Sequence, residues 1–148
     1  AMAHIQVSRI IEAPRTKVFE ILADPSNLHD LLRGEIYVEL ASAPDQLTAG
    51  SEIRVAMTRF GMKQLVRLKV DDHLHSKRLM YHQVEGFFKS WSHIMKFEDH
   101  GEGYTLVTDL VDYTLPFGIL GNLSDDLFVK SDMTRILRSR LERVDEFL

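Results

Sequence analysis

The chain contains no cysteine. That excludes disulfides, thiolate nucleophiles and cysteine-based zinc sites, and it agrees with residence in a reducing compartment, the cytoplasm. Long apolar runs are also missing. The longest fall well short of the ~20 residues that a membrane-spanning helix needs, so no stable membrane insertion is expected. No charged segment followed by an apolar one opens the chain, so no signal peptide is expected. Basic residues are outnumbered, with 18 Lys and Arg against 22 Asp and Glu for a net charge of −4. Nucleic-acid binding draws on clustered cations that release counterions, and this balance argues against it. Also absent are the nucleophile elbow G-x-S-x-G, the phosphate-binding P-loop, the H-E-x-x-H zinc motif and a strand-to-helix G-x-G-x-x-G. Gly101 and Gly103 stand two apart, but in a hairpin context, which makes no phosphate cradle. Proline and glycine are sparse, at 4 and 8 of 148 residues, so each one carries positional meaning.

What is present is alternation. His4–Glu12 reads as a strand through Ile5, Val7 and Ile11. Ala13-Pro14 opens a short helix, since the first helical residue needs no N–H donor. Val18, Ile21 and Leu22 line one side of it, with Phe19 beside them. Asp24-Pro25 stops it, because the residue before proline avoids helical geometry. A second short helix fits Pro25–Leu32 and ends at Gly34. Strands follow at Ile36–Leu40, Ser51–Arg59, Met62–Asp72, Leu79–Glu85, Lys89–Glu98 and Tyr104–Leu115. Their alternation of apolar and polar residues is that of antiparallel sheets with one wet face. Gly101-Glu102-Gly103 makes the last hairpin turn.

The chain closes on one long amphipathic segment. Asn122 can cap it, with Asp125 at the third helical position. Leu127, Met133, Ile136, Leu137, Leu141, Val144 and Leu148 recur at helical spacing. No repeat or linker interrupts the sequence, and residues 1–148 read as one domain. The class is α+β: an antiparallel sheet of about seven strands with its helices on one side. A long helix after a meander of strands belongs in the concave face of the sheet, and such a grip leaves room for a small apolar ligand.

Three groups of residues could carry chemistry. Asp71, His73 and His75 alternate and could chelate a metal, but Asp-Asp-His-Leu-His-Ser-Lys reads better as a solvated strand end. No metal or cofactor is expected. Arg135, Arg138, Arg140 and Arg143 interleave with Glu142, Asp145 and Glu146 and read as a solvated helix face. The third group is more specific. Trp91, His93, Met95 and Phe97 share one side of their strand, opposite Ser90, Ser92, Lys96 and Glu98. On the next strand Thr105, Val107, Asp109, Val111 and Tyr113 share the inward side. An inward carboxylate must be paired, and His93 is its natural partner across the hairpin. Tyr81 and Gln83 can add polar groups.

The order of elements and several landmarks resemble the START-like, or SRPBCC, superfamily. The landmarks are Ile10-Ile11-Glu12-Ala13-Pro14, then Val18-Phe19-Glu20-Ile21-Leu22-Ala23-Asp24-Pro25. Trp91-Ser92-His93 with Phe97 follows, and then Gly103-Tyr104-Thr105 with Thr108-Asp109, Tyr113 and Leu115-Pro116. The resemblance covers nearly the whole chain. It implies a helix-grip fold: a curved antiparallel sheet around a long C-terminal helix, with two short helices after the first strand. It also implies lipid or isoprenoid binding, aromatic polyketide cyclisation or ribosome association, among which fold alone does not choose.

The expected activity is binding of a hydrophobic small molecule, lipid-like or aromatic, between sheet and helix. The expected lining is Val55, Met57, Met62, Val66, Leu68, Tyr81, Gln83, Trp91, His93, Met95, Asp109, Tyr113, Phe117, Ile136 and Leu137. Phe117, Ile119 and Leu120, between Gly118 and Gly121, would gate its mouth. The alternatives are a cyclase or dehydratase that uses His93 and Asp109 as an acid–base couple, and a protein-interaction module.

Overall fold

The structure is a computed structural model that describes residues 2–116 and 123–148. Seven antiparallel strands form one open sheet in the order β1-β7-β6-β5-β4-β3-β2. They are β1 (Met2–Ile11), β2 (Tyr37–Ser42), β3 (Glu52–Arg59), β4 (Met62–Leu74), β5 (Arg78–Glu85), β6 (Ser90–Asp99) and β7 (Thr105–Thr114). Helix α1 (Arg15–Ala23), a 3₁₀ turn (Pro25–Asn27) and α2 (Leu28–Leu31) connect β1 to β2. Helix α3 (Leu123–Glu142) runs into a 3₁₀ turn (Arg143–Phe147) at the C-terminus. The helix-grip architecture expected from the sequence is therefore present.

Period-two alternation decides which side chains face α3. On β7, Thr105, Val107, Asp109, Val111 and Tyr113 are buried while the residues between them are partly exposed. Ile5, Val7 and Ile11 of β1, Val55 of β3, Val70 of β4, Leu79 of β5 and Met95 and Phe97 of β6 complete the buried concave face. Against them α3 and its terminal turn set Ile136, Leu137, Leu141 and Val144. Leu127 and Leu148, at the ends of the helical stripe, are 59% and 52% exposed.

Arg9 stands on the concave side of edge strand β1. Its guanidinium donates to the carbonyl of Leu141 (2.8 Å) and to both carboxylate oxygens of Asp145 (3.0 and 2.6 Å). It thereby satisfies the end of α3, where carbonyls lack helical partners and a cation is favoured. Halfway along α3, Asp132 takes a bidentate ion pair from Arg59 of β3 and a further bond from Arg135, which also reaches Glu35.

Two local features set registers. Phe60 and Gly61 both have positive φ (52° and 75°) and close β3 onto β4 in a two-residue turn. The second is a β-bulge on β4: Val70 pairs with Tyr81 and Asp72 with Met80, leaving Asp71 extra. The bulge reverses the alternation, so His73 faces inward opposite Leu79.

Candidate functional site

The bulge removes the basis for a metal site at Asp71, His73 and His75. Asp71 turns outward and pairs with His82 Nδ1 (2.8 Å). The rings of His73 and His75 pack on Phe19 of α1, with centroids 5.3 and 5.1 Å away. Among the described residues no group of three or more His, Cys, Asp or Glu side chains could hold a metal ion.

His93 and Asp109 do meet. They are not register partners: β6 and β7 pair Met95 with Asp109 and His93 with Val111. The contact is diagonal, and His93 Nε2 lies 2.8 Å from Asp109 Oδ1. A third member comes from α3, where Arg140 donates to Asp109 Oδ2 (3.1 Å) and approaches Met95 Sδ (2.9 Å). A fourth is Tyr81 of β5, whose hydroxyl lies 2.7 Å from His93 Nδ1. His93, Asp109 and Arg140 are 1%, 0% and 4% exposed, whereas Tyr81 is only partly buried.

Arg140 was expected on the solvated face of the helix and is instead sealed against the sheet. Its position carried the signal: it stands four residues after Ile136 and three after Leu137, within the apolar stripe. A charge in that register is interior and needs an interior counterion, which Asp109 provides.

The electrostatics follow from burial. Burial alone would raise the Asp109 carboxyl, but the Arg140 guanidinium and His93 outweigh it and hold the carboxyl below its usual value. Burial, opposed by Asp109 and reinforced by Arg140, pushes the His93 imidazole below its usual value. Burial pushes the Tyr81 phenol up to about 12, a shift moderated by Arg140 and by the indole of Trp91. The network is thus an ionised carboxylate, a guanidinium, a neutral imidazole and a neutral phenol.

The other expected lining residues divide. Val55, Val66, Leu68, Met95, Tyr113, Ile136 and Leu137 are buried on the concave side or on the face of α3 that meets it. Met57, Tyr81 and Trp91 face the same interior but are only partly buried, as are Phe88 of the β5–β6 connection and Val129 and Met133 of α3. Met62 is a correction. It follows the β3–β4 turn at the end of the sheet and is 77% exposed, so it lines no interior. Gln83 faces inward but folds over the β5–β6 turn, where Nε2 donates to the carbonyl of Phe88 (2.7 Å). A Cβ at Gly86 would collide with its Oε1. Phe117, Ile119 and Leu120, the expected gate, and the Asn122 cap lie outside the described residues. An open cleft of about 780 Å³ runs along Lys130, Thr134 and Arg138, and another of about 300 Å³ lies between His29, Ile36 and Phe60. None of the expected lining residues borders either cleft.

The sheet, the gripped helix and the polar network between them define a helix-grip protein of the START-like class. Residues 2–146 match the family described as polyketide cyclase / dehydrase and lipid transport, and the chain belongs to that family. Solved structures agree on the fold. A protein from Thermus thermophilus is similar at 24% identity, covering 96% of this chain and 97% of that one, with a TM-score of 0.70. The Zhui aromatase/cyclase from Streptomyces sp. R1128 is similar at 17% identity, covering 97% and 92%, with a TM-score of 0.78. Ara h 8.0201 is similar at 14% identity, covering 99% of each chain, with a TM-score of 0.68. No curated protein sequence matches the chain. Among the described residues no helix is long and apolar enough to cross a membrane.

Proposed function

We infer that the protein binds a hydrophobic small molecule, lipid-like or aromatic, between the sheet and α3. The observation that carries this reading is an unequal seal. Around Ile11, Phe97, Val107, Leu141 and Val144 the interior is closed, each residue being no more than 2% exposed. Around Met57, Tyr81, Phe88, Trp91, Val129 and Met133 inward apolar groups stay partly open to solvent. Large apolar side chains that face inward yet remain accessible are the lining expected of a ligand site. Their character fits an adaptable apolar guest, with thioethers that reshape readily and aromatic faces that stack.

The buried network supports binding more than acid–base catalysis. Both nitrogens of His93 are engaged, one by Asp109 and one by Tyr81, and the ring is sealed. A general base must come within hydrogen-bond reach of the proton it removes, and of the network's four side chains only Tyr81 is not fully buried. His93, Asp109 and Arg140 are then positioning residues that hold the phenol.

Organic extraction of the purified protein followed by mass spectrometry tests the reading. An apolar molecule recovered unchanged in stoichiometric amount is the expected result. Failure of the protein both to retain such a molecule and to bind any added apolar probe would sink it. A probe recovered dehydrated or cyclised would favour the enzymatic alternative.

A further inference from the structure

The hydrogen bonds of the buried network run in one direction, and that direction selects a class of ligand. Asp109 accepts on both oxygens, from His93 Nε2 at 2.8 Å and from Arg140 at 3.1 Å. An ionised carboxylate can only accept, so the imidazole proton sits on Nε2. Arg140 and Asp109 already balance in charge, and a second ring proton would leave a net positive charge in a sealed interior. Nδ1 is therefore bare and accepts. Its partner is the Tyr81 hydroxyl at 2.7 Å, which must donate. A phenol has a single hydrogen, and here it is committed inward. The Trp91 indole N–H, which also bears on this hydroxyl, can only donate to it and so takes one lone pair of the oxygen, leaving the other. What Tyr81 has left to offer is lone-pair capacity.

The geometry points to Tyr81 as the residue that sets ligand specificity, as an obligate hydrogen-bond acceptor. It favours an apolar molecule that brings a hydroxyl donor over one that presents an ether, a ketone or an ionised carboxylate at that point. The inference rests on the ligand-binding reading above and narrows it: a phenol or an alcohol fits this interior, and an anionic fatty acid head does not. The physical ground is the asymmetry of unmet hydrogen bonds. A ligand acceptor facing the phenol oxygen would bury two lone-pair groups against each other, both stripped of water and neither paired. A site built to pair with a hydroxyl rejects the analogue that lacks one far more strongly than an apolar wall could.

Three probes of one shape separate the possibilities: 2-naphthol, 2-methoxynaphthalene and 2-naphthoate, titrated calorimetrically into the whole protein near neutral pH. The naphthol is expected to bind at least about tenfold more tightly than either of the others, which corresponds to about 1.4 kcal/mol. In Tyr81→Phe the ether should bind no more weakly than in the parent, because the phenol oxygen that faced it is gone; the naphthol can still donate to the freed His93 Nδ1. Equal binding of naphthol and ether by the parent protein overturns the inference and leaves the ligand-binding reading standing. So does tighter binding of the naphthoate, or an ether that binds more weakly to Tyr81→Phe than to the parent. Binding of none of the three by the parent overturns the inference, and overturns the ligand-binding reading as well only if organic extraction also recovers no apolar molecule. Nitrogen NMR of the labelled imidazoles gives a readout that needs neither variant nor ligand. His93 should show a proton on Nε2 and none on Nδ1, and a doubly protonated ring at neutral pH overturns the inference.

Discussion

Asp109 holds two buried partners at once, and its loss would strand both. Asp109→Ala leaves the Arg140 guanidinium uncompensated in a sealed interior and removes the acceptor of His93. Breaking a buried pair in this way costs about 3–5 kcal/mol, and denaturant titration of Asp109→Ala should show a loss of that size. His93→Phe keeps the volume but leaves Asp109 Oδ1 and the Tyr81 hydroxyl unmet, for a smaller loss of about 1–3 kcal/mol. The depressed pKa of His93 also fixes the sign of a pH effect. Its folded value lies below the ordinary 6.5, so between those two values the unfolded chain binds more protons than the folded one. The stability due to neutral His93 is complete above about pH 6.5 and declines as pH falls toward the folded value. Urea midpoints should therefore drop on acidification from about pH 7.5 to 5 by more in the parent than in His93→Phe. Parallel curves would refute this. The meeting of His93 and Asp109 was legible in the sequence because a two-residue period and a hairpin place both inside. Arg140 was not, because a charge among charges reads as solvated unless its register is counted against the apolar stripe.

Strands and helices were legible wherever one period ran unbroken, and misread where a single residue broke it. The expected strand from Met62 to Asp72 continues to Leu74, and its far end faces the other way because Asp71 is extra. Nothing in Val-Asp-Asp-His announces a bulge; the partner strand decides it. The second expected helix is real but divided into a 3₁₀ turn and one α-helical turn, since Asp24 accepts from the Ser26 N–H ahead of it. At the C-terminal end of α3 the decisive residue is Arg9, which comes from the opposite end of the chain. Arg9→Ala would leave the Leu141 carbonyl without its charged donor and Asp145 without its partner. Its side chain is 28% exposed, so the expected loss is modest, about 1–2 kcal/mol. Hydrogen exchange should quicken in the Arg143–Phe147 turn before it does elsewhere. A protection pattern unchanged along that turn would deny Arg9 its capping role.

On the scale of the whole molecule, α3 is gripped unevenly. Leu141 and Val144 are 1% and 0% exposed, while Leu127 and Phe128 are 59% and 68% exposed. Leu141→Ala should cost about 2–5 kcal/mol, as expected for a buried leucine in a site that cannot collapse. In the parent protein, amide protection should rise along the helix from Leu127 toward Leu141, and a bound apolar ligand should raise it most in the less protected half. Uniform protection without ligand would contradict the uneven grip. The architecture was readable from the order of elements, but the unequal seal was not, since it depends on how far each side chain reaches the helix. The sealed polar network has one more implication. An apolar filling of equal volume in place of a buried ion pair is often as stable, or more so. Stability alone therefore gives Tyr81, His93, Asp109 and Arg140 no reason to be polar together, which leaves the ligand as what their polarity serves in the reading above.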